Sequence, residues 1–286
     1  MIPQAEASSF LDELGIEELP IVPVEICRTL GIHYSEDHLT GLDGLLILHP
    51  FTGHSIICVS NRITEQGRKH FTIAHELGHY CIDGLRKTEF YCSSEVVESF
   101  KSTIDSMELR ANEFAAELLM PQKIYQPLVK KLEPGWDAIK ELSYKSQTSL
   151  TATAIRFIDL SDYACCLIVS RARKILWFHK SEEFRSYVQM DSRLVSKDTV
   201  AFNIYQGFTP ADNFEDVKAC KWLSGKGVYP HTEILEWSLP LNSYGHVLTL
   251  LYDEEGIAGW DEEDYDNEDD EVDWEPPTFH KSKRKA

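Results

Sequence analysis

Three side chains within five residues could hold a metal ion and use it. His75, Glu76 and His79 form the pattern H-E-x-x-H inside the stretch Phe-Thr-Ile-Ala-His-Glu-Leu-Gly-His-Tyr, residues 71–80. On a helix, residues i and i+4 share a face, with Cβ atoms about 5–6 Å apart. Two imidazole nitrogens at that spacing can hold one zinc ion. Glu76 sits beside it, where a carboxylate can take a proton from a water on the metal. The neighbours Phe71, Ile73, Ala74 and Leu77 are apolar, so this helix is expected to be buried, as a rigid metal platform should be. Gly78 costs a helix about 1 kcal/mol against alanine, which suggests close packing on the backbone there.

The five-residue pattern can arise by chance in a chain with 11 histidines. A catalytic zinc also takes three protein ligands plus water. The third candidate lies in Glu-Leu-Arg-Ala-Asn-Glu-Phe-Ala-Ala-Glu-Leu-Leu-Met-Pro, residues 108–121. Leu109, Ala111, Phe114, Ala115, Leu118 and Leu119 follow a helical period. Glu108 and Asn112 share one face, a carboxylate ligand with an amide one turn on that could orient a ligand histidine. The alternative is a solvated glutamate on an amphipathic helix. Cys81 and Cys92 also lie near the metal helix, with less suitable geometry than Glu108. Manganese or iron suits a His-His-Glu set as zinc does. Tyr80 and Tyr91 are candidate donors to an oxyanion.

The stretches at 68–79 (Arg-Lys-His-Phe-Thr-Ile-Ala-His-Glu-Leu-Gly-His) and at 108–121 together resemble the ImmA/IrrE family of gluzincin-like metallopeptidases. The resemblance extends from Asp43-Gly44 to about Phe184. It implies a zincin-like fold and a zinc-dependent protease whose substrates are helix-turn-helix repressors. It carries the zinc ligands onto His75, His79 and Glu108 and the catalytic glutamate onto Glu76. Arg110 departs from the acidic residue that many relatives have there, and no role is transferred to it.

The elements that must position these groups follow from periodicity and punctuation. Residues 3–14 and 24–30 read as helices, the second opened by Pro23 and closed by Gly31. Residues 42–48 and 55–60 read as a hairpin, and either strand could be the sheet edge that binds extended substrate. Residues 64–82 are the metal helix, 84–103 a loop leading into a helix, and 104–119 the third-ligand helix. Residues 136–144 and 150–160 resemble a helix-turn-helix, but the second helix has one cation, Arg156, where a DNA reader normally brings more. A structural pair is therefore the favoured reading. Strands are expected at 164–170, 174–178, 199–204, 233–239 and 246–252. Trp177, Trp222 and Trp237 could line a pocket or pack in a core.

Composition sets the outer bounds. The chain has 286 residues, 43% hydrophobic, with no apolar run near the roughly 20 residues of a membrane span. Met1 to Phe10 lacks the pattern of a signal peptide. Seven cysteines without C-x-x-C spacing fit a reducing cytoplasm. A net charge of −19 argues against broad affinity for nucleic acid. Residues 253–275 hold 14 Asp or Glu and no Lys or Arg, whereas His280 to Lys285 is basic. Asp261 to Glu275 reads as disordered.

These readings combine into an α+β protein of four parts. Residues 1–122 form a zincin-like metallopeptidase domain with a small β-sheet. Residues 123–162 form a helix-turn-helix-like segment, 163–256 an α+β domain resembling a GAF-like sensor, and 257–286 a disordered acidic tail with a basic end. The expected function is a cytoplasmic zinc endopeptidase that cleaves an XRE-type repressor and derepresses stress-response or mobile-element genes. Its C-terminal domain would take a ligand or partner, with no membrane contact. The competing reading is a DNA-binding or sensor regulator that keeps a structural zinc site without proteolysis.

Overall fold

A buried helix needs a sheet or other helices to cover it, and here it has both. The computed structural model describes residues 2–49, 54–84, 88–92, 106–241 and 245–257. Strands β1 (His33–Asp37), β2 (Gly44–Leu48), β3 (Ser55–Ser60) and β4 (Glu89–Cys92) make a sheet in the order β1-β3-β2-β4. β1 runs parallel to β3, and β2 is antiparallel to both β3 and β4. The two strands expected as a hairpin are thus both interior, and the edges are β1 and β4. Neither edge was legible: β1 reads His-Tyr-Ser-Glu-Asp, too polar to show a period, and β4 is only four residues long.

After helix α1 (Pro3–Leu14), helix α2 (Pro23–Thr29) and helix α3 (Gln66–Gly78) pack with the sheet. α3 continues as a π-turn, His79–Asp83. Helix α4 (Ser106–Leu119) lies against α3 and α1. Gly78 meets it closely: a Cβ there would stand 3.1 Å from Ala111 Cα. Helices α5 (Gln122–Val129), α6 (Trp136–Ser146) and α7 (Leu150–Leu160) follow. α7 is the second helix of the helix-turn-helix-like pair. Its Thr153, Ala154, Ile155, Phe157, Ile158 and Leu160 are buried, and Arg156 is bound to Glu117 and to the Met120 carbonyl. A helix so enclosed is core and offers little face to a DNA groove.

The C-terminal part is built on a second sheet, which is antiparallel. It comprises β5 (Cys165–Arg171), β6 (Lys174–Lys180), β8 (Glu215–Lys218), β10 (Glu233–Leu241) and β11 (His246–Tyr252), in the order β6-β5-β11-β10-β8. β7 (Tyr187–Val188) and β9 (Leu223–Ser224) pair separately. The expected strand at 199–204 is instead a helix, α8 (Val200–Tyr205). Its short apolar run looks like a strand, but the side chains of Thr199 and Glu236 accept hydrogen bonds from its first amides. Alternate residues of β5 face two cores. Cys165, Leu167 and Val169 join a cluster that runs through the helices to the first sheet. Cys166 and Ile168 join a second cluster with Phe184, Val200 and Trp222. Trp222 and Trp237 are core residues, while Trp177 is half-buried. Apart from Ile257, the tail expected at 257–286 lies outside the described residues.

Candidate metal centre

His75 and His79 leave one face of the metal helix, as i and i+4 must. Their Nε2 atoms stand 3.1 Å apart. From α4, Glu108 brings Oε2 to 3.1 Å from His75 Nε2 and 3.4 Å from His79 Nε2. Both histidines are buried, and the Glu108 side chain is 20% exposed, so the cluster opens to solvent on the glutamate side. Ligand nitrogens about 2.0–2.1 Å from a tetrahedral zinc lie roughly 3.3 Å from one another. The three donors therefore already have the spacing of a metal's ligand set. Among the described residues, no cysteine belongs to the group. Burial pushes the Cys81 thiol up to about 12 and the Cys92 thiol well above its usual value, so neither is a ready thiolate.

The far side of each ring is held as well. His75 Nδ1–H donates to Asn112 Oδ1 at 2.9 Å, and His79 Nδ1–H donates to Asp83 Oδ2 at 3.3 Å. Each bond places the proton on Nδ1 and leaves Nε2 free as a donor to a metal. Arg110 closes the outer layer, donating to Asp83 Oδ1 at 2.7 Å. Phe90 of β4 stacks on the His79 ring, with centroids 4.6 Å apart. Burial holds His75 below the ordinary imidazole value, which keeps it neutral. For Glu108, burial pulls upward, but hydrogen bonds and charge from His75 and His79 in forms that carry a proton on Nε2 outweigh that and lower the carboxyl to about 2, and a bound cation would take the place of that proton. Neutral imidazole and ionised carboxylate are the forms that bind a cation.

Glu76 lies deeper. It is fully buried, and among the described residues neither of its carboxylate oxygens has a hydrogen-bond partner. Burial first, and then the charge of Glu108, push its carboxyl well above the usual range. A buried carboxylate without partners is costly, and its presence beside three converging donors fits a divalent ion. Gly44 makes the room, because a Cβ there would stand 2.5 Å from Glu76 Oε1.

The structure thus brings together His75, Glu76, His79, Glu108 and Asn112, and it turns Tyr91 away from them. Tyr91 is exposed, and its hydroxyl donates to Glu89 at 2.6 Å. Strand alternation sends it to the face opposite Phe90 and Cys92. Tyr80 is half-buried against the hydrophobic core. Sequence reasoning missed Asp83, Arg110 and Gly44. Asp83 is four residues beyond His79, a signal that was there to be read. The roles of Arg110 and Gly44 arise from contacts across 27 and 32 positions of sequence, and no local pattern announces them.

Residues 27–156 match the peptidase family described as the IrrE N-terminal-like domain. That span holds every side chain of the cluster. Metallopeptidase ImmA of Bacillus subtilis (strain 168) is 32% identical over 100 residues. Over this part of its length the chain is similar to the ImmA/IrrE family. The alignment with ImmA covers 35% of this chain and 54% of the relative, so the chain spans about half the length of the curated protein it matches. Beyond the family's domain, the fold resembles a Mycobacterium tuberculosis transcriptional regulator with a TM-score of 0.55 at 16% identity. That likeness covers 88% of this chain and 76% of the other, and it concerns the fold alone.

Proposed function

We propose that this protein is a zinc-dependent endopeptidase. Its substrate would be a helix-turn-helix repressor of the XRE type, whose cleavage releases stress-response or mobile-element genes. One observation carries the reading: Glu76, buried and without a hydrogen-bond partner among the described residues, stands beside three donors already at ligand spacing. His75, His79 and Glu108 would hold the ion, and manganese or iron suits the same set. When bound, such an ion supplies a Lewis acid that polarises a carbonyl and makes a water acidic near neutral pH. Glu76 then accepts the proton of the attacking water at a carboxylate oxygen and passes it to the departing amide nitrogen. Burial raises this carboxyl, which favours its holding the proton between the two transfers. Asn112 and Asp83 keep both rings in the tautomer this requires. The edge strand β4 lies next to His79 and would take the scissile segment as an added strand.

The rest of the chain would serve the same activity. Residues 1–122 would be the zincin-like unit, 123–162 a structural helical segment, and 163–256 a GAF-like sensor that gates the protease. The setting would be cytoplasmic. The regulator reading without proteolysis gains nothing from α7, whose buried face leaves little for DNA.

The test mixes purified protein, a divalent metal and the repressor encoded beside its gene, with fragments read by mass spectrometry. Wild type should give one dominant cut. Glu76→Gln should keep its metal and lose about 10²–10⁴-fold in rate, the usual share of a general base. Glu108→Ala should lose most of its metal by elemental analysis. Cleavage that persists in Glu76→Gln would refute the assignment of the base.

A further inference from the structure

The far end of the C-terminal sheet carries a concentration of cations that the metal centre does not use. Arg171 ends β5 and faces Lys174 across the tight turn that starts β6. Residues 193–195 run alongside: Arg193 O accepts from Ile175 N, and Val195 N donates to Arg173 O, both at 2.8 Å. Lys197 follows two residues on. Arg171, Arg173, Lys174, Arg193 and Lys197 are thus gathered by backbone pairing, with Asp191 the one acid in 171–174 and 191–197. Asp198 is taken by Lys221 at 3.0 Å. None of the five cations has an ion-pair partner among the described residues. Arg173 lies over the Phe202 ring, and its Nε is buried without a hydrogen bond. Elsewhere most cations are paired, as in Arg68–Asp43, Arg110–Asp83, Lys140–Asp137 and Lys218–Glu233. Five unpaired cations together repel one another unless an anionic partner offsets them.

The same chain contains such a partner. Residues 261–275 hold 11 Asp or Glu and no Lys or Arg. We propose that this acidic segment docks on the cationic end of the second sheet. Where the described chain ends supports this. β11 pairs Tyr252 with Cys165 and His246 with Arg171, so the chain leaves the sheet at the end opposite the patch. Six residue steps of about 3.3–3.4 Å put that end roughly 20 Å away. Ile257 then packs on the second hydrophobic cluster, the face that also holds Val195 and Val200. The chain therefore departs on the side where Arg193 and Lys197 lie. At about 3.3–3.6 Å per residue, six residues beyond Ile257 already cover the distance. Most of the acidic segment is within reach. Docking conceals a strongly basic surface of an acidic protein from other polyanions.

This docking does not depend on peptidase activity, and its test reads contact directly. Full-length protein is treated with a carbodiimide, which joins carboxylates to lysine amines in contact, and the linked peptides from the monomer are mapped. Links from 261–275 to Lys174 and Lys197 should exceed those to Lys130, Lys131 and Lys226. They should fall about tenfold at 1 M salt, where the Debye length shrinks to about 3 Å. Arg171→Glu/Arg193→Glu changes one exposed and one half-buried side chain, keeps both reporter lysines and should abolish the preference. A second variant with the acids of 261–275 changed to Asn and Gln leaves the folded part untouched and should do the same. Links spread evenly over the surface lysines would overturn the proposal. So would links found only between two chains, which would assign the patch to a second copy. Heparin that binds the patch equally with and without residues 258–286 would overturn it too, because an outside polyanion would then be the occupant.

Discussion

At the scale of single residues, the centre depends on two neighbours that do no chemistry. Gly44 borders Glu76 so closely that alanine must displace the carboxylate, since the added Cβ would stand 2.5 Å from Oε1. Gly44→Ala should lower kcat/KM about 10²-fold, the cost of a misplacement near 1 Å. Metal content should stay at the wild-type level, and overpacking should cost about 1–3 kcal/mol of stability. Steady-state kinetics with elemental analysis checks this, and equal loss of metal and activity would assign Gly44 to ligand geometry instead. Arg110 acts on the other side. It donates to buried Asp83, which holds His79. Arg110→Met should weaken metal binding about 10–100-fold, as is usual for partners behind a ligand. Competition with a chelator measures it, and Arg110→Lys should recover part of the loss. Unchanged affinity in Arg110→Met would remove Arg110 from the site.

At the scale of elements, α8 shows how a cap can override a local pattern. Glu236 of β10 is fully buried and accepts hydrogen bonds from Ala201 N, Trp222 Nε1 and Ser238 Oγ at 2.7, 2.7 and 2.8 Å. Burial nevertheless outweighs these bonds and raises its carboxyl above the ordinary value. The folded state therefore binds this proton more tightly than the unfolded chain does. The stabilisation is complete below the unfolded glutamate value of about 4.3 and is lost as pH rises through the raised folded value. Glu236→Gln cannot titrate. The wild type's advantage over the variant should then shrink as pH rises from about 4 toward 7. Denaturant melts at several pH values report it, and a constant gap would mean that the group does not change protonation on folding.

At the scale of the whole molecule, the two sheets are not independent. One hydrophobic cluster runs from α1 through the metal helix and α7 to Trp237, Leu248 and Leu250 of the second sheet. Trp136 anchors it, fully buried and donating from Nε1 to the Trp237 carbonyl at 2.7 Å. Trp136→Ala should cost about 3–5 kcal/mol, as large-to-small changes in a core do. Unfolding should stay a single transition in both near- and far-ultraviolet circular dichroism, because one of the two hydrophobic clusters joins both sheets. Two separated transitions would show that the units fold apart. That cluster also links the C-terminal sheet mechanically to the metal helix.

Local chemistry was enough to pick out side chains that the fold brings together. His75, Glu76, His79, Glu108 and Asn112 could be read because helical periodicity places i and i+4 on one face whatever surrounds them. The helices at 3–14 and 150–160 and the strand at 246–252 were legible for the same reason, since each repeats its pattern long enough to show. Contacts distant in sequence decided the rest. β1 and β4 are strands because β3 and β2 offer them backbone partners, not because their own residues demand it. Residues 200–205 are helical because Glu236, 35 positions from Ala201, caps them. Tyr91 falls outside the site because β4 is a strand, whose alternation turns it away from Phe90. Gly44, Asp83 and Arg110 took their places only when the sheet, the π-turn and α4 met. A pattern within one element is written in its own residues, whereas a fit between elements exists only after they have packed.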